Sequence, residues 1–234
     1  MTIASNLSAI HDRIARAAHR AGRDTSEVAL MAVSKTLPAE QIIEAYEAGQ
    51  RLFGENRVQE FAEKVGALAS LPDAEFHMIG HLQSNKAMKA AEIFHAVDSL
   101  HSAKLAEKLN AAAGILGKTL DILIEINVGG EEAKSGLAPD SPDLENILTG
   151  APSWQRLRIR GLMTVPPFTD DPEGARAYFR QLRELRDQLA VRNLPAVDFN
   201  VLSMGMSHDF EVAIEEGSTC VRIGTAIFGE RPRR

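Results

Sequence analysis

Cys220 is the single cysteine in 234 residues, so an internal disulfide framework and any zinc site built on several thiolates are excluded. A reducing compartment is the expected setting. No apolar run approaches the roughly 18 residues that a bilayer-crossing helix needs, and the first twenty residues lack the continuous apolar core of a secretion signal. Arg13, Arg16 and Arg20 do follow an amphipathic pattern of the kind seen in organellar leaders. Asp12 interrupts it, and the same spacing builds an ordinary packed helix, so a cytoplasmic protein is expected. A basic excess is missing as well: 26 Lys and Arg stand against 32 Asp and Glu, a net charge of −6. Neither nucleic acid nor an anionic membrane is therefore the expected partner. Aromatic residues are scarce, and with two tyrosines in the chain, phenol-based proton transfer has only Tyr46 and Tyr178 to draw on.

What is present is an ordinary globular composition, 44% hydrophobic and 25% charged, with ample material for a core. An opening helix places Ile3, Leu7, Ile10, Ile14 and Ala17 or Ala18 on one stripe, with Gly22 as a stop. Strands then alternate with helices. The apolar runs read as strands are Val28 to Val33, Arg51 to Phe53, Phe76 to Ile79, Phe94 to Val97, Leu120 to Val128, Leu157 to Val165, Val197 to Leu202 and Cys220 to Ile223. Amphipathic stretches separate them, the first opened by Pro38 and the last carrying Phe210, Ala213 and Ile214. Eight strands, each followed by a helix, predict a single (β/α)8 TIM barrel over residues 1–234, with the extra N-terminal helix set against it. A doubly wound open sheet is the rival, but no G-x-G-x-x-G follows the first strand.

Barrels of this kind carry their chemistry at the carboxyl ends of the strands. Lys35 follows the first strand, where apolar walls are expected to lower its pKa and supply the neutral amine that forms a Schiff base with an aldehyde. After the seventh strand the chain runs Ser203-Met204-Gly205-Met206-Ser207, with Ser207 expected to cap the next helix. After the eighth, Gly224-Thr225 opens a short helical turn. Helix starts in these two loops are a common phosphate site; tight turns with no ligand are the plain alternative. Arg222 alternates with Val221 and Ile223, and an inward guanidinium needs an acceptor, either a ligand ring nitrogen or a buried Glu125.

A Schiff-base lysine facing a phosphate cup is the minimum needed to hold pyridoxal 5′-phosphate (PLP). A sugar-phosphate aldolase in which Lys35 attacks its substrate directly shares the same lysine. His77 and His81 have the spacing of metal ligands on a helix, yet they fall on a strand-to-loop turn, so no metal site is expected. The run Gly130 to Gly136 reads as a solvated turn, Cys220 as a core residue, and Arg231 to Arg234 as a frayed basic tail.

Six stretches, Val33-Ser34-Lys35-Thr36, Phe53-Gly54-Glu55-Asn56, His77 to Lys86, Gly161 to Thr164, Leu202 to Ser207 and Arg222 to Gly229, resemble those of the pyridoxal phosphate homeostasis protein family. They follow the family order along nearly the whole chain. The resemblance implies an alanine-racemase-like barrel without the second, β-rich domain. It implies Lys35 as the cofactor Schiff base, with Ser203, Ser207, Gly224 and Thr225 on the phosphate, Arg222 facing the pyridine nitrogen, and Asn56 lining the pocket. His208 stands where the family varies. An arginine has no proton to share readily with the ring, which leaves the electron sink weak, and no second domain supplies an opposite-face base. Storage and delivery of PLP in cellular homeostasis, without catalytic residues, is therefore favoured. The alternative is a racemase or decarboxylase using Tyr46, Tyr178 or a histidine. PLP-dependent apo-enzymes are the expected recipients, and a monomer is expected over an oligomer.

Overall fold

The computed structural model describes residues 2–131 and 135–230. Eight parallel strands pair in sequence order and close, β8 onto β1, into a barrel. The strands are β1 (Ala29–Val33), β2 (Leu52–Glu55), β3 (Glu75–Met78), β4 (Ala96–Leu100), β5 (Leu120–Glu125), β6 (Leu157–Met163), β7 (Val197–Ser203) and β8 (Cys220–Ile223). The surrounding helices include α1 (Ile3–Arg20), α2 (Ala39–Glu47), α3 (Val58–Lys64), α4 (Ala87–Ile93), α5 (Ala103–Ile115), α6 (Pro142–Gly150), α7 (Arg176–Ala190), α8 (Phe210–Glu215) and the single turn α9 (Thr225–Phe228). The expected barrel with its extra first helix is what forms.

α1 buries Ile3, Leu7, Ile10, Ile14, Ala17 and Ala18, the stripe predicted from spacing. It packs on α2, α8 and α9, and Asn6 Nδ2 donates to the Ile227 carbonyl at 2.7 Å. It thereby braces the two elements that follow β7 and β8. α7 is tied to the same region by charge: Arg176, Arg180 and Arg183 converge on the buried Glu216 at 3.2, 2.9 and 2.9 Å. The stacked rings of Phe53, Phe76, Phe61 and Phe94, with centroids 4.8 to 5.3 Å apart, fill the layer between β2, β3 and their helices.

Most strand bounds shift by a residue or two from the sequence reading, β6 for instance ending at Met163 and not Val165, and three of the shifts have a clear physical reason. β2 does not stop at Phe53 but runs through Gly54 and Glu55, both buried. Gly54 belongs there because a Cβ would lie 2.8 Å from Met31 Sδ and 2.9 Å from Ile79 Cδ1. β4 is not Phe94 to Val97 but Ala96–Leu100; its polar Asp98 and Ser99 are almost wholly buried, and partners inside the barrel receive them, His77 for Asp98 and the Gly80 carbonyl for Ser99. β5 ends at Glu125, after which the chain turns to the following loop: the Leu137 amide donates to the Glu125 carbonyl and the Asn127 amide donates to the Leu137 carbonyl, each at 2.8 Å.

Candidate functional site

A cavity of about 600 Å³ opens at the carboxyl ends of the strands. Lys35, Asn56, Ser207, Arg222, Gly224 and Thr225 all line it, so six of the seven residues singled out from the sequence share one space. The seventh, Ser203, is fully buried beneath it. Its Oγ accepts a 2.6 Å hydrogen bond from Arg222 Nη1, while Arg222 Nη2 donates to the Thr164 carbonyl at 2.7 Å. Arg222 thus finds its direct acceptors in β7 and at the end of β6. Glu125 enters only as a nearby charge. Burial lowers the guanidinium's hold on its proton, and the charges of Cys220, Asp98, Glu125 and Asp209 act the other way.

The turn after β7 is built differently from the expectation. Ser207 does not cap α8; Asp209 occupies the cap position, and its Oδ1 accepts from the Met206 amide at 2.6 Å. That bond folds the chain back so that the Phe210 amide reaches the Met206 carbonyl at 2.9 Å. Ser207 is released from capping and lines the cavity. Gly205, at φ +94°, is required: a Cβ there would sit 2.5 Å from that of Ala213. Beside this turn, Thr225 and its neighbours begin α9, and the first amides of any helix have no carbonyl within it to bond.

Glu125 is the group that the sequence reading placed but did not assign to the cavity. It ends β5, lines the cavity and is 5% exposed. Ser135 Oγ donates to its Oε1 at 2.8 Å, whereas its Oε2 is buried without a hydrogen-bond partner. Burial raises its pKa above the usual carboxylate range; the Ser135 hydrogen bond and the charges of His101 and Arg222 oppose that rise. Ser135 belongs to the run expected to be a solvated turn, and it faces the cavity. Residues 132–134 of that run, and the tail 231–234, lie outside the described residues.

His81 also lines the cavity and stacks on His101 with ring centroids 4.4 Å apart. Burial and the neighbouring imidazole lower its pKa. His77, four residues earlier, points elsewhere and pairs with Asp98 at 3.2 Å. Among the described residues no group of three or more His, Cys, Asp or Glu is placed to hold a metal ion. His208 lines the rim, its Nε2 3.1 Å from the carbonyls of Thr169 and Asp170, and its ring packs on Phe168, which is 75% exposed. The tyrosines stand apart: neither Tyr46 nor Tyr178 lines the cavity, and Tyr46 stacks under Arg51. Cys220 is buried, and burial with the Asp98 charge pushes its thiol up to about 12.

Residues 5–232 match the alanine racemase N-terminal domain. A pyridoxal phosphate homeostasis protein from Aquifex aeolicus (strain VF5) is 46% identical over 231 residues, 99% of each chain. The chain belongs to the pyridoxal phosphate homeostasis protein family. Among solved structures, PipY of Synechococcus elongatus PCC7942 with PLP bound is 39% identical, with a TM-score of 0.83 over 97% of this chain and all of that one. An unknown protein from Bifidobacterium adolescentis is 38% identical with a TM-score of 0.89, covering 97% and 94% of the two chains. This pyridoxal phosphate homeostasis protein family member therefore matches both relatives along nearly their whole length, and its barrel is of the alanine-racemase type. Among its described residues no helix is long and apolar enough to cross a membrane.

Proposed function

We propose that the chain binds PLP in the cavity at the carboxyl ends of the strands, as a Schiff base on Lys35, and serves to store and deliver it in the cytoplasm without catalytic turnover. When bound, PLP supplies an aldehyde that condenses with an amine and a phosphate that needs hydrogen-bond donors. The observation that carries the reading is that Lys35 shares one cavity with Ser207, Gly224, Thr225, Arg222 and Asn56. Ser207 and the first turn of α9 suit the phosphate. Arg222, held by Ser203 and Thr164, suits the pyridine nitrogen, and Asn56 packs against the ring. In this arrangement Ser203 acts by orienting Arg222. Buried unpartnered atoms at Asn56 Oδ1 and Glu125 Oε2 are what a ligand with hydrogen-bonding edges would satisfy.

Storage is favoured over turnover because a guanidinium does not protonate the ring, and because both tyrosines lie away from the cavity. A racemase or decarboxylase is the second reading, and the presence of His81 and Glu125 in the lining is the observation on its side. Delivery is to PLP-dependent apo-enzymes, from a monomer.

The test is reduction of the PLP-loaded protein with borohydride, followed by peptide mass spectrometry. One pyridoxyl group on Lys35, absent from Lys35→Ala together with the yellow colour, is the expected result; a different modified lysine overturns the site. Release of D-amino acids or carbon dioxide from any amino acid at stoichiometric PLP would replace storage with the second reading.

A further inference from the structure

α3 carries Glu60 and Lys64 one helical turn apart, both facing the turn that presents Lys35. Lys64 Nζ donates to the carbonyls of Ser34 and Leu37, each at 3.1 Å. It pairs with Glu55 Oε1 at 2.7 Å, with side-chain exposures of 10% and 0%. The same Glu55 oxygen accepts from Ser34 Oγ at 2.7 Å. Glu60 accepts the amide N–H of Thr36 and lies 3.7 Å from Lys64. Residues 34, 36 and 37 are thus each gripped from β2 or α3, on both sides of Lys35.

Thr36 explains why a grip is needed. Its φ is +64°, a region that β-branched residues avoid, so the conformation persists only where the surroundings impose it. A buried ion pair adds little net stability over a well-packed apolar replacement. The placement of Lys64 and Glu55 therefore follows from what they touch, which is the backbone of this turn.

We propose that Glu60 and Lys64, with Glu55 behind them, are positioning residues that hold the Lys35 turn in its strained form and so aim the amine into the cavity for carbonyl capture. The proposal rests on Lys35 being the residue that bears PLP. None of the three lies on the ligand-facing side of Lys35; they act through the backbone on either side of it. Glu60 also lines a groove of about 610 Å³ that adjoins the PLP cavity and shares Asn56 and His81 with it. The grip is consequently accessible from solvent at Glu60, whereas Lys64 and Glu55 are closed off.

The experiment titrates apo-protein with PLP and measures the dissociation constant, the rate at which the borohydride-trapped adduct accumulates on Lys35, and the melting temperature of the same apo-protein. Glu60→Ala is expected to weaken PLP binding and slow trapping by roughly tenfold, the size of effect that loss of a charge-assisted hydrogen bond produces. Its melting temperature should stay close to that of the parent, since the Glu60 side chain is 26% exposed and reaches solvent through the groove. Glu60→Gln keeps an oxygen for the Thr36 amide and should restore most of the affinity. Lys64→Met combined with Glu55→Gln leaves no buried charge unpaired and should weaken capture to a similar extent. If parent protein traps PLP on Lys35 while Glu60→Ala and the double variant do so with parental affinity and rate, the positioning role is wrong. A lower melting temperature with parental affinity would likewise reduce these residues to structural ones. If the parent itself gives no adduct on Lys35, it is the PLP assignment that fails.

Discussion

Arg222 is fixed before any ligand arrives. Its two terminal nitrogens are committed to Ser203 Oγ and the Thr164 carbonyl, and it sits among the charges of Asp98, Glu125 and Asp209. Arg222→Met leaves those carboxylates without their cation, so unfolding free energy should fall by on the order of 3 kcal/mol, measurable by urea denaturation of apo-protein. Glu125 gives a change of opposite sign. Its folded pKa is raised by burial, so the stability it contributes is present below the ordinary carboxylate value and is lost as pH rises through the folded one. Glu125→Gln is therefore expected to be more stable than the parent at neutral pH, the gain vanishing in acid, as read by melting temperature across pH. At this scale the sequence was informative about Lys35, Arg222 and the loops after β7 and β8, because strand ends are where such barrels work. Glu125, Ser135 and His81 were harder to read. Ser135 and His81 owe their place in the cavity to how the loops after β5 and β3 fold over the mouth, which no periodicity encodes, and Glu125 sits at the end of β5 inside a run that sequence reads as continuing to Val128.

At the scale of elements, periodicity located every strand, and its errors fell where polar residues turn inward. Asp98 and Ser99 look like the end of a strand in sequence, yet they are its buried middle because His77 and the Gly80 carbonyl satisfy them. The Ser207 cap failed for a related reason: Asp209, two residues on, makes the tighter turn. β6 shows a constraint that sequence reading does not reveal. Gly161 sits at φ +155° where its neighbours shift register, and a Cβ there would collide with the Val201 carbonyl. Gly161→Ala must push β6 and β7 apart and should cost about 3 kcal/mol of stability, checked by chemical denaturation. α1 is a simpler case. Ile14 is 1% exposed on its inner stripe, and Ile14→Ala should cost about 2 to 5 kcal/mol.

Across the whole molecule the two ends of the barrel hold different chemistry. The carboxyl end carries the cavity. Toward the other end, a smaller cavity is lined by His77, Asp98 and Cys220 among others. Burial opposes protonation of His77, but the charge and hydrogen bond of Asp98, helped by Glu75, prevail and hold its pKa at about 10. A histidine raised in this way stabilises the fold fully below its unfolded value of about 6.5, and that contribution fades as pH climbs through about 10. His77→Gln should flatten the decline of stability over that window while leaving the affinity for PLP unchanged, in paired denaturation and binding titrations. Stability at one end and ligand chemistry at the other is the division expected of such barrels.

The bond from Asn6 to Ile227 spans 221 residues of chain. On the ribosome, α1 therefore emerges long before the segment it will cover has been made, and it must wait with its apolar stripe unburied until β8 and α9 follow. Closure of the ring and completion of the cavity become one late event. A nascent chain lacking its last forty or so residues has made Lys35 but not the Ser207, Arg222, Gly224 and Thr225 that share its cavity.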